Sequence, residues 1–417
     1  MNAKTDDKEE AFGAAPHERP VPRISIGAFV EFPDTGAALQ RAGADRRLAK
    51  AHVNVQLGGI NAAIEHYHGQ VTPNLLIVET RLNGQAALDE LDKLAEVCDP
   101  TTKVVVVGRV NDVELYRELM RRGASEYLVA PLNPLHLIEV ISGLYLDPEA
   151  APIGRVVAFI GARGGCGSSS LSHNVGWCIA EELGINTTII DLDLPFGTTG
   201  LDFNDEPTQG VADALSAPER LDDVLLDRLL VKRGDHLSIF STPAVVDREY
   251  EATVDAFESV LDAVRQSTPC VIVDIPHIWT PWVKATLIGA DDIVIVATPD
   301  LASLRNAKNI YELLRQHRSN DTPPRLVINQ VGVAKRPEIP AKDFAETIGV
   351  QPALVLNFDP QLFGQAANNG QMLNEVAPKS LTAQGIRTLA EVVTGRVPQP
   401  IQKSTDLFAF LKGKKKA

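Results

Sequence analysis

Arg155-Val156-Val157-Ala158-Phe159-Ile160-Gly161-Ala162-Arg163-Gly164-Gly165-Cys166-Gly167-Ser168-Ser169-Ser170 joins an apolar run to a glycine-rich, serine-ended loop. The run reads as a buried parallel strand, and Leu171 to Leu183 reads as the helix that follows it. A loop in that position can hold phosphate with backbone alone. Glycines admit the positive φ angles that turn successive N–H groups inward, and the helix adds the positive end of its dipole. The Ser169 hydroxyl sits where it can ligate Mg²⁺. An ordinary phosphate loop places a lysine just before that hydroxyl, reaching the β- and γ-phosphates, and here the position is Ser168. A merely tight strand-to-helix turn would show the same glycines, so neighbouring motifs must decide.

Outward from the loop, Thr187 to Asp191, Leu237 to Phe240, Cys270 to Asp274, Ile293 to Ala297 and Arg325 to Asn329 read as further buried strands, spaced widely enough for helices. The pattern predicts a doubly wound, mainly parallel sheet with its ligand crevice at the carboxyl ends of the strands. Before the loop a smaller α/β unit is expected, with strands Ile24 to Phe29, Leu75 to Val78, Val104 to Val107 and Tyr127 to Val129. Asp112 to Arg122 is its clearest helix, with an apolar stripe ended by Gly123. The expected layout is a disordered tail at 1–22, a first domain at 23–146, a Pro/Ala linker at 147–154, a nucleotide-binding domain at 155–400, and a tail at 401–417.

The loop resembles that of the MinD/ParA group of deviant Walker A ATPases, which carry Lys-Gly-Gly-x-Gly-Lys-Ser/Thr. Arg163 stands in for the signature lysine, Gly164, Gly165, Gly167 and Ser169 match, and Ser168 departs. Ile189-Ile190-Asp191-Leu192-Asp193 resembles the family's second motif, which implies that Asp193 lies near the attacking water. Cys270 to Asp274 with Pro276 resembles Walker B, implying that Asp274 holds Mg²⁺ through water. Asp291 to Asp300, followed by Ser303-Leu304-Arg305, is similar to the next strand and loop, and Arg325 to Val331, with Asn329, to the adenine-reading segment. The resemblance thus implies ATP and Mg²⁺ as cofactors. It assigns Gly164, Gly165, Cys166, Gly167, Ser168, Ser169, Ser170 and Asn329 to nucleotide, Ser169 and Asp274 to the metal, and Asp193 and Arg163 to catalysis, Arg163 acting in trans across a homodimer. Without a lysine at position 168, γ-phosphate charge is poorly neutralised, so hydrolysis is expected to be slow or absent.

Residues 23–146 resemble a response-regulator receiver, a flavodoxin-like fold, in strand order and in Gly123-Ala124-Ser125-Glu126-Tyr127-Leu128. The receiver chemistry is missing. Glu79, a lone Glu31, Gly108-Arg109 and Ala130 occupy the places of its aspartate, acidic pair, hydroxyl and lysine. Phosphorylation is not expected, and Glu79 is read as a structural surface residue.

An inactive receiver fused to such a loop is similar to the TadZ/CpaE proteins of Tad (Flp) pilus assembly, and Asp359 to Gly370 extends the match. That resemblance implies a scaffold positioning the pilus secretion machinery, often at a cell pole. Its partners would be the secretion ATPase and the inner-membrane platform.

Composition limits the alternatives. A net charge of -14 repels nucleic-acid phosphates on average, and no nucleic-acid partner is expected. The scattered Cys98, Cys166, Cys178 and Cys270 lack metal or disulfide spacing, which fits the cytoplasm. No apolar run reaches the roughly 20 residues of a membrane span, and no export signal is expected. The ending Leu407-Phe408-Ala409-Phe410-Leu411-Lys412-Gly413-Lys414-Lys415-Lys416 puts lysines beside apolar residues. Such a segment is either a peripheral membrane contact, at 407–416, or a frayed tail. The alternative reading of the whole is an active ParA/MinD-type ATPase partitioning a cargo or DNA.

Overall fold

The computed structural model describes residues 21–145, 153–205, 207–243 and 252–396. They form two compact units: one holds the described residues up to Ile153 with Leu287–Asp291 and Glu312–Pro323, and the other holds the rest. The expected tail at 401–417, the segment 407–416 within it, and nearly all of the 1–22 tail and the 147–154 linker lie outside the described residues.

In the first unit, strands β1 (Ser25–Val30), β2 (His52–Leu57), β3 (Leu75–Glu79), β4 (Lys103–Gly108) and β5 (Glu126–Val129) form a parallel sheet in the order β2-β1-β3-β4-β5. This is a flavodoxin-like order. Helices α1 (Pro33–Gly43), α2 (Gly59–Tyr67), α3 (Gln85–Val97), α4 (Val113–Arg121) and α5 (Pro134–Tyr145) alternate with the strands. Because successive strand residues face opposite sides, the inner strands β1, β3 and β4 each feed two cores. Ile26, Ala28, Leu75, Ile77, Val105 and Val107 pack in one, and Phe29, Leu76, Val78, Val104 and Val106 in the other. The predicted helix at 112–122 forms as α4, with Asp112 as its cap, its carboxylate accepting from the N–H groups of Glu114 (2.8 Å) and Leu115 (3.2 Å).

Glu79 corrects the sequence reading. It is no surface residue: at the end of the fully buried β3 it is 0% exposed. Its carboxylate accepts from the Glu31 N–H (2.8 Å), the Phe32 N–H (3.1 Å) and the Thr35 hydroxyl (2.8 Å). Arg109 Nη2 lies 3.6 Å away, with its guanidinium over the Phe32 ring. Burial is tolerated because hydrogen bonds satisfy the charge.

In the second unit, β6 (Arg155–Gly161), β7 (Thr187–Asp191), β8 (Val231–Arg233), β9 (Leu237–Phe240), β10 (Cys270–Ile275), β11 (Asp292–Ala297), β12 (Arg325–Val331) and β13 (Pro352–Asn357) form one sheet. Its order is β13-β12-β11-β6-β10-β7-β9-β8, parallel except for β8. The α/β, mainly parallel architecture expected from the sequence is present in both units. No described helix is long and apolar enough to cross a membrane.

Candidate functional site

The strand order puts β6 between β11 and β10, so the loops leaving these neighbours flank the loop at 162–167. Helix α6 (Ser168–Trp177) starts directly after it. Gly165 (φ 78°) and Gly167 (φ 89°) are left-handed, the conformation that suits glycine. A Cβ at Gly167 would also lie 2.5 Å from Asn329 Nδ2.

Side chains hold the carbonyls of this segment. His277 Nδ1 donates to the Gly161 carbonyl (2.9 Å) and Asn306 Nδ2 to that of Ala162 (2.8 Å). Gln330 Nε2 donates to Gly165 (2.9 Å) and Asn329 Nδ2 to Cys166 (2.9 Å). The loop borders a cleft of about 510 Å³. Arg163, Gly164, Gly165, Cys166, Gly167, Ser168, Ser169, Ser170, Asp193 and Asn329 all line it. The Cys166 side chain is buried and its thiol is pushed up by that burial, which leaves its backbone as the usable group.

Asp274 lies below the cleft wall rather than on it, 3% exposed at the end of β10. Burial pushes its carboxyl up; His173 pulls the other way, Asp191 adds to the rise, and Ser169 opposes it. Its Oδ1 has no hydrogen-bond partner, and neither does the buried Ser168 Oγ. Two orphaned oxygens at one loop are the feature a bound cation and phosphate would relieve. Asp193 is pushed up by partial burial, while the Phe196 N–H lowers it and Asp191 raises it. Arg163 is half exposed and pairs at 3.3 Å with Asp300. Burial alone would raise Asp300, but bonds from Thr298 and the Ser303 N–H, with the Arg163 charge, bring it below the ordinary value.

The sequence reading missed His173, one helical turn beyond Ser169 and fully buried. Its Nδ1 lies 2.7 Å from Asp202, in the short helix α7 (Thr199–Asp202), and its Nε2 2.8 Å from Thr199 Oγ1. Thr199 spends its one hydroxyl proton on Asp191 (2.7 Å), so it accepts from Nε2. Asp202 stands at the other ring nitrogen, so both nitrogens are engaged. Burial would lower the ring's pKa, but the Asp202 bond and the charges of Asp274, Asp202 and Asp191 raise it above the ordinary value. His173, Asp191 and Asp274 bring ligand atoms within 4.8 Å of one another, but with both ring nitrogens engaged the trio offers carboxylate oxygens rather than imidazole. An i+4 histidine after the loop is the sequence signal that could have found it.

Residues 155–393 match the family model described as cellulose biosynthesis protein BcsQ. The septum site-determining protein MinD of Bacillus subtilis (strain 168) is 22% identical over 250 residues, 58% of this chain and 90% of that protein. The crystal structure of a ParA family ATPase from Chlorobium tepidum TLS is 25% identical, covers 57% of this chain and 98% of its own, and has a TM-score of 0.52. The pilus assembly protein CpaE from Caulobacter crescentus CB15 is 53% identical over 31% of this chain and 98% of its own, with a TM-score of 0.30. That last match falls in the N-terminal part and rests on sequence identity. By residues 155–393 the chain belongs to the ParA-like BcsQ family, and by its N-terminal part to the CpaE pilus assembly proteins.

Proposed function

We propose that this chain is a pilus assembly and localisation factor: an ATP-binding, MinD/ParA-like dimeric scaffold that positions the Tad/Flp secretion machinery and hydrolyses ATP slowly or not at all. The observation that carries the nucleotide reading is the loop whose carbonyls are held by side chains, with Ser168 Oγ in the cleft lining and Asp274 Oδ1 in the neighbouring β10 both unpartnered. Glycines 164 and 165 leave open space for phosphate, Gly167 supplies the turn, Ser168 to Ser170 would present the start of α6 to it, and Asn329 would stand toward the base. Ser169, with Asp274 through water, would hold Mg²⁺, which neutralises charge between the phosphates. Asp193 would orient the attacking water, and Arg163, swung off Asp300, would reach across a homodimer.

The pilus role is supported by the 53% identity to the Caulobacter CpaE protein and by the silent receiver-like unit, whose Glu79 is internally committed. The chain would work in the cytoplasm, at a cell pole and peripheral to the inner membrane, with the secretion ATPase and membrane platform as partners.

Titrating ATP and ADP with Mg²⁺ while following mass by light scattering tests the nucleotide and dimer readings. Wild type should bind, and Arg163→Ala should bind but dimerise less. Absence of any nucleotide affinity would refute the proposal. A fluorescent fusion fixed at a pole supports the scaffold, whereas spreading over the nucleoid would favour a partitioning ATPase.

A further inference from the structure

His277 sits just past β10, three residues after Asp274, and lines the same cleft as Ser168, Ser169 and Asp193. A carbonyl can only accept, so the 2.9 Å contact with Gly161 fixes Nδ1 as the donor. The bond is specific in its effect. It locks the ring against the loop and leaves Nε2 as the free nitrogen, with no hydrogen-bond partner among the described residues.

Strand order tells which end of a nucleotide this nitrogen meets. Asn329, Gln330 and Phe358, from β12 and the turn after β13, stand on one side of β6. His277 and Asp193, which follow β10 and β7, stand on the other. If the base lies toward Asn329, the phosphate chain crosses the loop and ends toward His277. That end lacks a cation. Position 168 holds serine, and Arg163, the other basic side chain lining the cleft among the described residues, is paired with Asp300.

We infer that His277 takes over the terminal-phosphate contact that a lysine at position 168 makes in ordinary loops. Its ring meets the outermost phosphate of a bound nucleoside triphosphate through Nε2, the phosphate charge favouring a proton on that nitrogen, while Nδ1 stays on Gly161. This rests on the nucleotide-binding reading above and adds a specificity: the contact exists for a triphosphate and not for a diphosphate.

The test compares ATP and ADP affinity, each with Mg²⁺, by calorimetry on the full chain as wild type, His277→Ala and His277→Ala/Ser168→Lys. Losing the phosphate contact should weaken ATP binding roughly ten- to a hundredfold more than ADP binding, since both nucleotides share whatever the lost Gly161 anchor costs. Lysine at 168 should restore the ATP affinity. ADP binding also reports that the variant is folded. Equal ATP affinity in wild type and His277→Ala overturns the inference, as does a parallel loss of ATP and ADP, or a double variant that stays weak. A wild type that binds neither nucleotide refutes the underlying reading instead, so the two failures are distinct.

Discussion

Replacing Glu79 by alanine should unfold the first unit far more readily than a change at one acidic residue ordinarily does. The carboxylate accepts from two backbone N–H groups and the Thr35 hydroxyl, and Thr35 is 1% exposed. A hydrogen bond to a charged group contributes about 1.5–3 kcal/mol, and a buried donor left without a partner costs about 1–3 kcal/mol. The three losses do not simply add, because Glu31 and Phe32 are partly exposed and water can reach their N–H groups. Thr35 has no such recourse. The expected cost is about 3–5 kcal/mol, or roughly 10–20 °C in the transition of a unit of this size. Glu79→Gln keeps one acceptor oxygen and the volume, so about 1–2 kcal/mol is expected. Urea unfolding gives the total, and hydrogen exchange at residues 31–36 locates it. A loss under about 1 kcal/mol for alanine, with unchanged protection there, would refute the argument that Glu79 ties β1 to α1.

At the loop, Gly167→Ala meets both a left-handed φ of 89° and a 2.5 Å approach to Asn329, so fluorescent-nucleotide binding should vanish while the fold survives. Binding at the wild-type level would contradict this. Asn329→Ala frees the Cys166 carbonyl and should cost about 1–3 kcal/mol, read by denaturation, with weaker binding of ATP and ADP alike. His173 gives a pH dependence. Its folded value is raised, so the stability it adds is complete below about pH 6.5, its unfolded value, and fades as pH rises through the folded one. Denaturation midpoints of the second unit should fall from there upward, and more shallowly in His173→Gln. Parallel slopes would sink the idea.

Most strands legible in the sequence were those buried on both faces, and one edge strand, β5, was legible as well. Thr187–Asp191 and Leu237–Phe240 have the predicted bounds, and Cys270–Ile275 differs by one residue, because each is a short, continuous run within the sheet. His52–Leu57, Val231–Arg233 and Pro352–Asn357 escaped notice. All three lie at sheet edges, where one side needs no apolar cover, and β2 accordingly mixes exposed with half-buried positions. Within the cleft, the glycines and serines announced themselves because phosphate chemistry fixes their spacing. His173 and His277 did not: each is a lone histidine, and its meaning comes from what tertiary packing sets against it, Asp202 and Thr199 in one case and the Gly161 carbonyl in the other. Glu79 was misread for the same reason, since its donors come from the β1–α1 junction and the first turn of α1, 44 to 48 residues away.

The side-chain anchors on the loop carbonyls also set how fast the cleft can work. A floppy loop forfeits roughly 1–2 kcal/mol of backbone freedom for every residue it orders around a ligand. Here Asn306, Gln330, Asn329 and His277 have already done the ordering. Association should then run at the rate of encounter, with no folding step in front of it, and occupancy should be governed by how long a nucleotide stays. The same anchors tie the loop to the ends of β10 and β12 and to the helix at Leu301–His317. A ligand that shifts the loop by a fraction of an ångström therefore pulls on three separate elements at once, and a slow release would let that pull persist as a timer.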